Sequence, residues 1–282
     1  MAKPVCITAD STCDLPAALA ERFGIRIIPL TINLGEESYR DGVDFTPDDL
    51  YRHYHADGML PQTAAPNVQD FIDFFTPILD EGFEIVHLDI SSELSNSFDA
   101  ARLAAEELEG VHVVDSRMLS NGLGLLAVEG AERAADGMAA ADIAEHLRGL
   151  ADKVETSFVL DTLDFMRKGG RCSNFAALGA NLLKLKPALK MAGGKLGVYK
   201  KYRGNIEHVY KQYITERLEG KRVRPGHVFL TDSGEIDPAV MEEMEQLVRE
   251  LVPGAEIHRA VAGCAVSCHC GPKTMGVIFI DE

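Results

Sequence analysis

The sequence has no tryptophan, few cysteines and far fewer cations than anions. Six cysteines in 282 residues are too sparse for a disulfide framework, so a reducing cytoplasm is the expected compartment. No segment reaches the about 20 consecutive apolar residues that a membrane-spanning helix needs. The opening run from Met1 to Asp10 lacks an apolar core of signal-peptide length. Lys and Arg total 28 against 44 Asp and Glu, a formal charge of −16. A chain this acidic repels phosphate backbones and anionic membrane surfaces, so neither nucleic acid nor stable membrane insertion is expected. Enzyme signatures are missing as well: there is no G-x-x-x-x-G-K-[ST], no G-x-S-x-G and no H-E-x-x-H.

What remains is the mix of a globular protein, 46% apolar and 26% charged, long enough for one large or two ordinary domains. The first half alternates strand-like and helix-like segments. Val5–Thr8, Ile25–Leu34, Glu84–Ile90 and Val111–Asp115 read as strands. Between them, Asp14 is placed to cap a helix carrying Leu15, Leu19 and Phe23, and Thr46-Pro47-Asp48-Asp49 has the order of a capped helix start. Phe71, Phe74, Phe75, Ile78 and Leu79 form one apolar helix face. A helix opens near Ser95, and Ser120–Ala135 is another. This order predicts an α/β fold whose first domain, residues 1–155, is a mostly parallel doubly wound sheet. Ala139–Asp152 reads as a connecting helix. From there a second α/β domain, residues 156–282, is expected to hold a mixed sheet with helices. It includes a hairpin, Leu185–Met191 and Lys195–Tyr202, around Gly193-Gly194. The ligand cleft is expected between the domains.

Small polar residues recur after the strands: Asp10-Ser11-Thr12, the run from Ser91 to Ser97, and Asp115-Ser116. In an open parallel sheet the carboxyl ends of the strands form the ligand crevice, and hydroxyls at helix starts bind anions. Helix capping alone explains any one cluster, but not the recurrence. Thr63, ahead of Ala64-Ala65-Pro66, is a further hydroxyl in a loop. Gly122-Leu123-Gly124-Leu125-Leu126-Ala127 matches G-x-G-x-x-A, but a second helix follows it instead of a strand. Close helix packing explains it better than a dinucleotide site. Cys264-x3-Cys268-His269-Cys270 has metal-like residues, yet neighbours in an extended chain point to opposite faces. No metal is assigned, and His269 is instead a lone donor beside Gly271-Pro272. A serine hydrolase or acyltransferase using Ser95 and His269 is the competing enzymatic reading, since triads assemble in space. Charge is unevenly spread: the 42 residues from Phe165 to Ile206 carry ten cations and no Asp or Glu, leaving −26 on the other 240. Such a patch suits an anionic or phosphate-bearing partner.

Taken in order, these motifs resemble the DegV family of bacterial fatty-acid-binding proteins. The opening Asp10-Ser11-Thr12-Cys13-Asp14-Leu15 is similar to its first-strand motif, Thr63-Ala64-Ala65-Pro66 to its T-S-Q-P loop, and Ser91–Ser97 to its S-S-x-L-S-G-T segment. Val114-Asp115-Ser116 with Gly122-Leu123-Gly124, then Gly169-Gly170-Arg171, Leu185-Lys186-Pro187 and His269-Cys270-Gly271-Pro272, complete the series. Ala64 and Ala65 replace Ser and Gln of the family pattern, Asn96 replaces Gly, and Lys273 stands where Gly is frequent. The resemblance implies a carrier without cofactor or catalytic residues. It implies that a long-chain fatty acid such as palmitate, stearate or oleate lies between two domains. Its carboxylate is held by Thr63 and Ser95, with His269 and Arg171 in the surrounding polar network. It further implies a partner, a fatty acid kinase that converts the presented acid to an acyl phosphate for phospholipid synthesis.

Overall fold

The computed structural model describes residues 3–169 and 185–282. Arg171, one of the expected site residues, lies outside the described residues, as do Gly170 and Lys184. In chain order the first half runs β1 (Val5–Asp10), α1 (Ala17–Phe23), β2 (Arg26–Ile28), β3 (Thr31–Leu34), β4 (Glu37–Arg40), α2 (Pro47–Asp57), β5 (Gln62–Ala64), α3 (Val68–Asp80), β6 (Glu84–Asp89), α4 (Ser97–Glu106), β7 (Val111–Asp115), α5 (Asn121–Ala135) and α6 (Ala140–Ala151). The second half runs β8 (Val154–Val159), α7 (Asp164–Gly169), β9 (Leu185–Ala192), β10 (Lys195–Arg203), α8 (Ile206–Leu218), β11 (His227–Asp232), α9 (Pro238–Leu251), β12 (Glu256–Val261), α10 (Cys264–Cys270) and β13 (Met275–Ile280).

The first sheet has the order β2-β1-β6-β7 and is parallel throughout. Alternate residues face opposite sides. Cys6 and Ile85 meet Phe71, Phe75 and Ile78 of α3, while Ile7, Val86 and Leu88 join the core built on α5 and α6. The sheet is therefore doubly wound, as the alternation predicted. The second sheet, β10-β9-β8-β13-β11-β12, is mixed: only β11 and β12 pair in parallel. Its outer face carries α8 and α9, whose Val209, Tyr213, Met241 and Met244 are buried against it.

α5 is the layer common to both sheets. Its first half is apolar all round, which suits a helix covered on every side: Leu123, Leu125, Leu126, Ala127 and Val128 are all buried. Its glycines let the neighbours close in. A Cβ at Gly122 would sit 2.0 Å from Thr156 Oγ1 of β8, and one at Gly124 would sit 2.7 Å from the carbonyl oxygen of Cys13. The G-x-G-x-x-A run is thus a packing surface.

Four local expectations are corrected. Ile25–Leu34 is not one strand; Arg26–Ile28 lies in the parallel sheet, while Thr31–Leu34 crosses into a small antiparallel sheet, β4-β3-β5. Pro29 separates the two and has no N–H to continue a ladder. α6 is no mere connector, because Ile143, Ala144 and Leu147 complete the core under the first sheet. Asp14 does not cap α1, whose N-cap is Pro16 without a side-chain bond. Cys264–Cys270 is a helix, α10, and not an extended segment. By contrast, Thr46 and Asp49 form the capping box their spacing suggested, and Asn67 with Asp70 forms another at the start of α3.

Candidate functional site

In the parallel sheet, the chain leaves β1 toward β2 on one side and β6 lies on the other. A crevice opens beyond strand ends at such a switch point. β1 and β6 run in register, so Asp10 and Asp89 close neighbouring strand ends, both fully buried. Asp10 accepts from the N–H groups of Thr12 (2.8 Å) and Ile90 (2.8 Å), and so fixes both loops that leave the sheet. Burial, and then the charge of Asp89, push the Asp10 carboxyl well above the usual carboxylate range. Asp89 accepts from Ser97 Oγ at 2.7 Å and so anchors the first residue of α4.

These loops form one wall of a cavity that is partly open to solvent. Thr12, Ile90, Leu94 and Ser95 come from the loops after β1 and β6, and Leu119 from the segment before α5. The small sheet brings Thr63, which pairs with Ile32 across β5 and β3. The second half supplies Phe158, Met166, Leu196, Val266 and His269. The lining is mainly hydrocarbon, interrupted by the hydroxyls of Thr12, Thr63 and Ser95 and the His269 imidazole.

Three expected site residues therefore converge although they lie far apart in sequence. Thr63 Oγ1 is 3.3 Å from His269 Nε2. Ser95 Oγ accepts from the Ser97 N–H at 3.2 Å, which leaves its own O–H to donate. The glycine beneath the imidazole is equally specific: a Cβ at Gly169 would sit 2.2 Å from His269 Nδ1. That close approach gives Gly169 of the Gly-Gly-Arg motif a physical role. Sequence reasoning did not single out Thr12, Met166 or Leu196 as site residues. Thr12 stood among the small polar residues after β1, but Met166 and Leu196 are ordinary apolar positions until the fold gathers them.

α10 presents His269 and is clamped at its other end. Gly263, before its first turn, offers no side-chain cap. The first half supplies one instead: Asp14 accepts from the Gly263 N–H at 2.8 Å, and Asp41 from the N–H groups of Cys264 (2.9 Å) and Ala265 (3.3 Å). Ser120 and Ser11 donate to the same two carboxylates. Burial pushes Asp14 up to about 8 and raises Asp41 as well. The helix also explains the cysteine cluster. Cys264 donates to the Phe45 carbonyl and Cys268 to that of Ala265, and burial pushes the Cys270 thiol up to about 12. Cys264 and Cys268 are packing groups in the core, while His269 and Cys270 line the cavity.

The β9–β10 hairpin closes the remaining side. At its tip the Gly194 carbonyl accepts from Ser91 Oγ at 2.7 Å, and Gly194 has φ of 80°, a conformation open to glycine. Three of the basic residues on this hairpin are neutralised by ion pairs. Lys186 pairs with Asp161, Lys195 with Glu93 at 3.5 Å and Lys200 with Glu216 at 2.5 Å. Lys201 and Arg203 are exposed and have no ion pair among the described residues.

A family model described as an uncharacterised protein of the DegV family matches residues 4–282. A DegV domain-containing protein of Deinococcus radiodurans is 32% identical over 283 residues, covering 97% of each chain. Among solved structures, a DegV family protein from Thermus thermophilus, described for its fatty acid binding, superposes with a TM-score of 0.87 at 29% identity over 100% of both chains. A stearic acid-binding protein from Eubacterium ventriosum gives 0.81 at 25% identity, covering 98% of this chain and 97% of its own.

Proposed function

The chain belongs to the DegV family, and from that premise we propose that it binds one long-chain fatty acid between its two halves and presents the carboxylate to a separate kinase. The observation that carries this reading is the cavity itself: a hydrocarbon lining with Thr12, Thr63, Ser95 and His269 as its polar groups. A carboxylate needs hydrogen-bond donors when it leaves water. Thr63 and Ser95 supply hydroxyls on two different elements, with His269 beside Thr63. The tail supplies the affinity, since each buried CH₂ contributes about 0.8 kcal/mol and a chain of about 16 carbons roughly 10 kcal/mol before ordering costs. The halves that close on it are residues 1–155 and 156–282, and Arg171 extends the polar network on the strength of the family motif. The carrier role belongs to the cytoplasm, where a kinase with ATP would form the acyl phosphate. Lys201 and Arg203, exposed on β10, are the cations that would meet such a phosphate-handling partner.

Native mass spectrometry of the purified protein, followed by lipid extraction, tests this reading. One bound fatty acid of about 14 to 18 carbons is expected, as tail burial requires. A protein that arrives empty and takes up none of these acids would sink the proposal. Adding a fatty acid kinase and ATP to the loaded protein should yield acyl phosphate; failure there removes only the presentation step. Covalent labelling of Ser95 by a fluorophosphonate would instead favour the hydrolase.

A further inference from the structure

Away from the fatty acid cavity, the junction holds a cluster that lipid binding does not use. β11 and β12 run parallel with His227 opposite Glu256 and Phe229 opposite His258. Residues two apart on a strand share a face, so His227, Glu256 and His258 project to the same side. That side meets the first half: Phe23 of α1 stands edge-on to the His227 ring at 5.6 Å, and Arg22 donates to Glu256 Oε1 at 2.6 Å. Nδ1 of His227 is 2.8 Å from Nε2 of His258. The Glu256 carboxylate lies 3.5 Å from the first and 3.9 Å from the second. One donor atom from each residue fits within a sphere of mutual distances no greater than 4.8 Å. The two imidazoles are only 10% and 12% exposed.

On the far side of the His227 ring, Nε2 lies 3.2 Å from Glu132 Oε1 of α5. An ionised carboxylate only accepts. With the His227 proton on Nε2, directed at Glu132, the Nδ1 lone pair faces His258 and Glu256. A carboxylate behind an imidazole is the usual device for orienting a metal ligand.

We propose that His227, His258 and Glu256 form a site for a divalent transition metal, with Glu132 as the positioning carboxylate. Ligand type favours Zn²⁺: two imidazoles and one carboxylate suit it, and three protein ligands leave a fourth position for water. Zinc–ligand bonds of about 2.0–2.1 Å in a tetrahedron set ligand atoms ~3.3 Å apart. The observed 2.8 Å between the two imidazole nitrogens and 3.5 Å between His227 Nδ1 and Glu256 Oε2 bracket that value, so small side-chain shifts would seat the ion. Arg22 holds Oε1 of Glu256, which leaves Oε2 for the ion. The bound metal ties β11 and β12 to each other directly, and to α5 through Glu132.

The test uses untagged full-length protein stripped with a chelator, then dialysed against Zn²⁺ alone and analysed for metal. One equivalent is expected, together with a higher thermal midpoint that chelator reverses. Substituting Co²⁺ should give d–d bands without a thiolate charge-transfer band. The double variant His227→Ala/His258→Ala should lose the ion. Glu132→Gln, which preserves shape, should weaken binding about 10–100-fold, and it carries the test if the double variant does not fold. No bound equivalent, a thiolate band, or affinity unchanged in Glu132→Gln would each overturn the proposal.

Discussion

One cavity at the junction is walled by Leu94, Leu119, Phe158 and Leu196. The other, beside the C-terminal half of α5, is walled by Glu129, Glu132, Arg133, His146, Arg224 and His227. Near α5 the first touches only Leu119, ahead of the helix, whereas the second lies against the helix itself, and they hold opposite chemistry. Around the first, polar groups are few and mostly uncharged, so a tail finds hydrocarbon. Around the second, charge is compensated almost atom by atom. Glu129 is 4% exposed and meets His146 at 2.8 Å, Arg133 at 3.4 Å and Arg224. Burial works to raise its carboxyl, but His146 and the arginines outweigh burial and hold it below the usual range. The difference teaches that the junction is hydrocarbon at one end and charged at the other, where Glu129 of the first half meets Arg224 of the second.

Substitutions can break that contrast. The largest effect is expected from Glu129→Ala, which takes the shared carboxylate from His146, Arg133 and Arg224, all partly exposed; about 2–3 kcal/mol of stability should be lost, read by urea unfolding. A loss under about 1 kcal/mol would mean the charged end does not fasten the halves. At the apolar end, Thr63→Ala with Ser95→Ala should weaken fatty acid binding at least about tenfold, because each bond to a charged group is worth about 1.5–3 kcal/mol. Stability should change little, and unchanged affinity in a fluorescent fatty acid titration would remove both hydroxyls from the site. The smallest and most diagnostic effect concerns Asp14. Its folded pKa of about 8 lies above its ordinary 3.8, so the fold keeps a proton that the unfolded chain has already released. The corresponding stability is fully present below the ordinary value, declines as pH rises, and is gone above about 8. Unfolding midpoints should therefore fall between pH 3.8 and about 8, and less steeply in Asp14→Asn. Equal slopes would show that the α10 clamp does not titrate there.

The parallel sheet was legible because alternating strand and helix periods survive in a single sequence. Its site was legible in part because Thr63, Ser95 and His269 sit in motifs whose order resembles a known family. What was hidden depends on convergence. β4 and β5 are short and partly polar, so no period announces them. α10 is a single buried turn-and-a-half whose caps, Asp14 and Asp41, come from more than 220 positions away. His227 and His258 are 31 residues apart and meet only because two parallel strands fix their register.

The lining of the fatty acid cavity runs from Thr12 to Cys270, which has a consequence for synthesis. At about 5–20 residues per second a ribosome needs on the order of half a minute for this chain. The parallel sheet has its strands by Asp115 and can begin to order while the remainder is still being made. The cavity cannot, because α10 emerges almost last. No nascent fragment that lacks α10 holds the whole lining, so the cavity forms only after α10 has emerged.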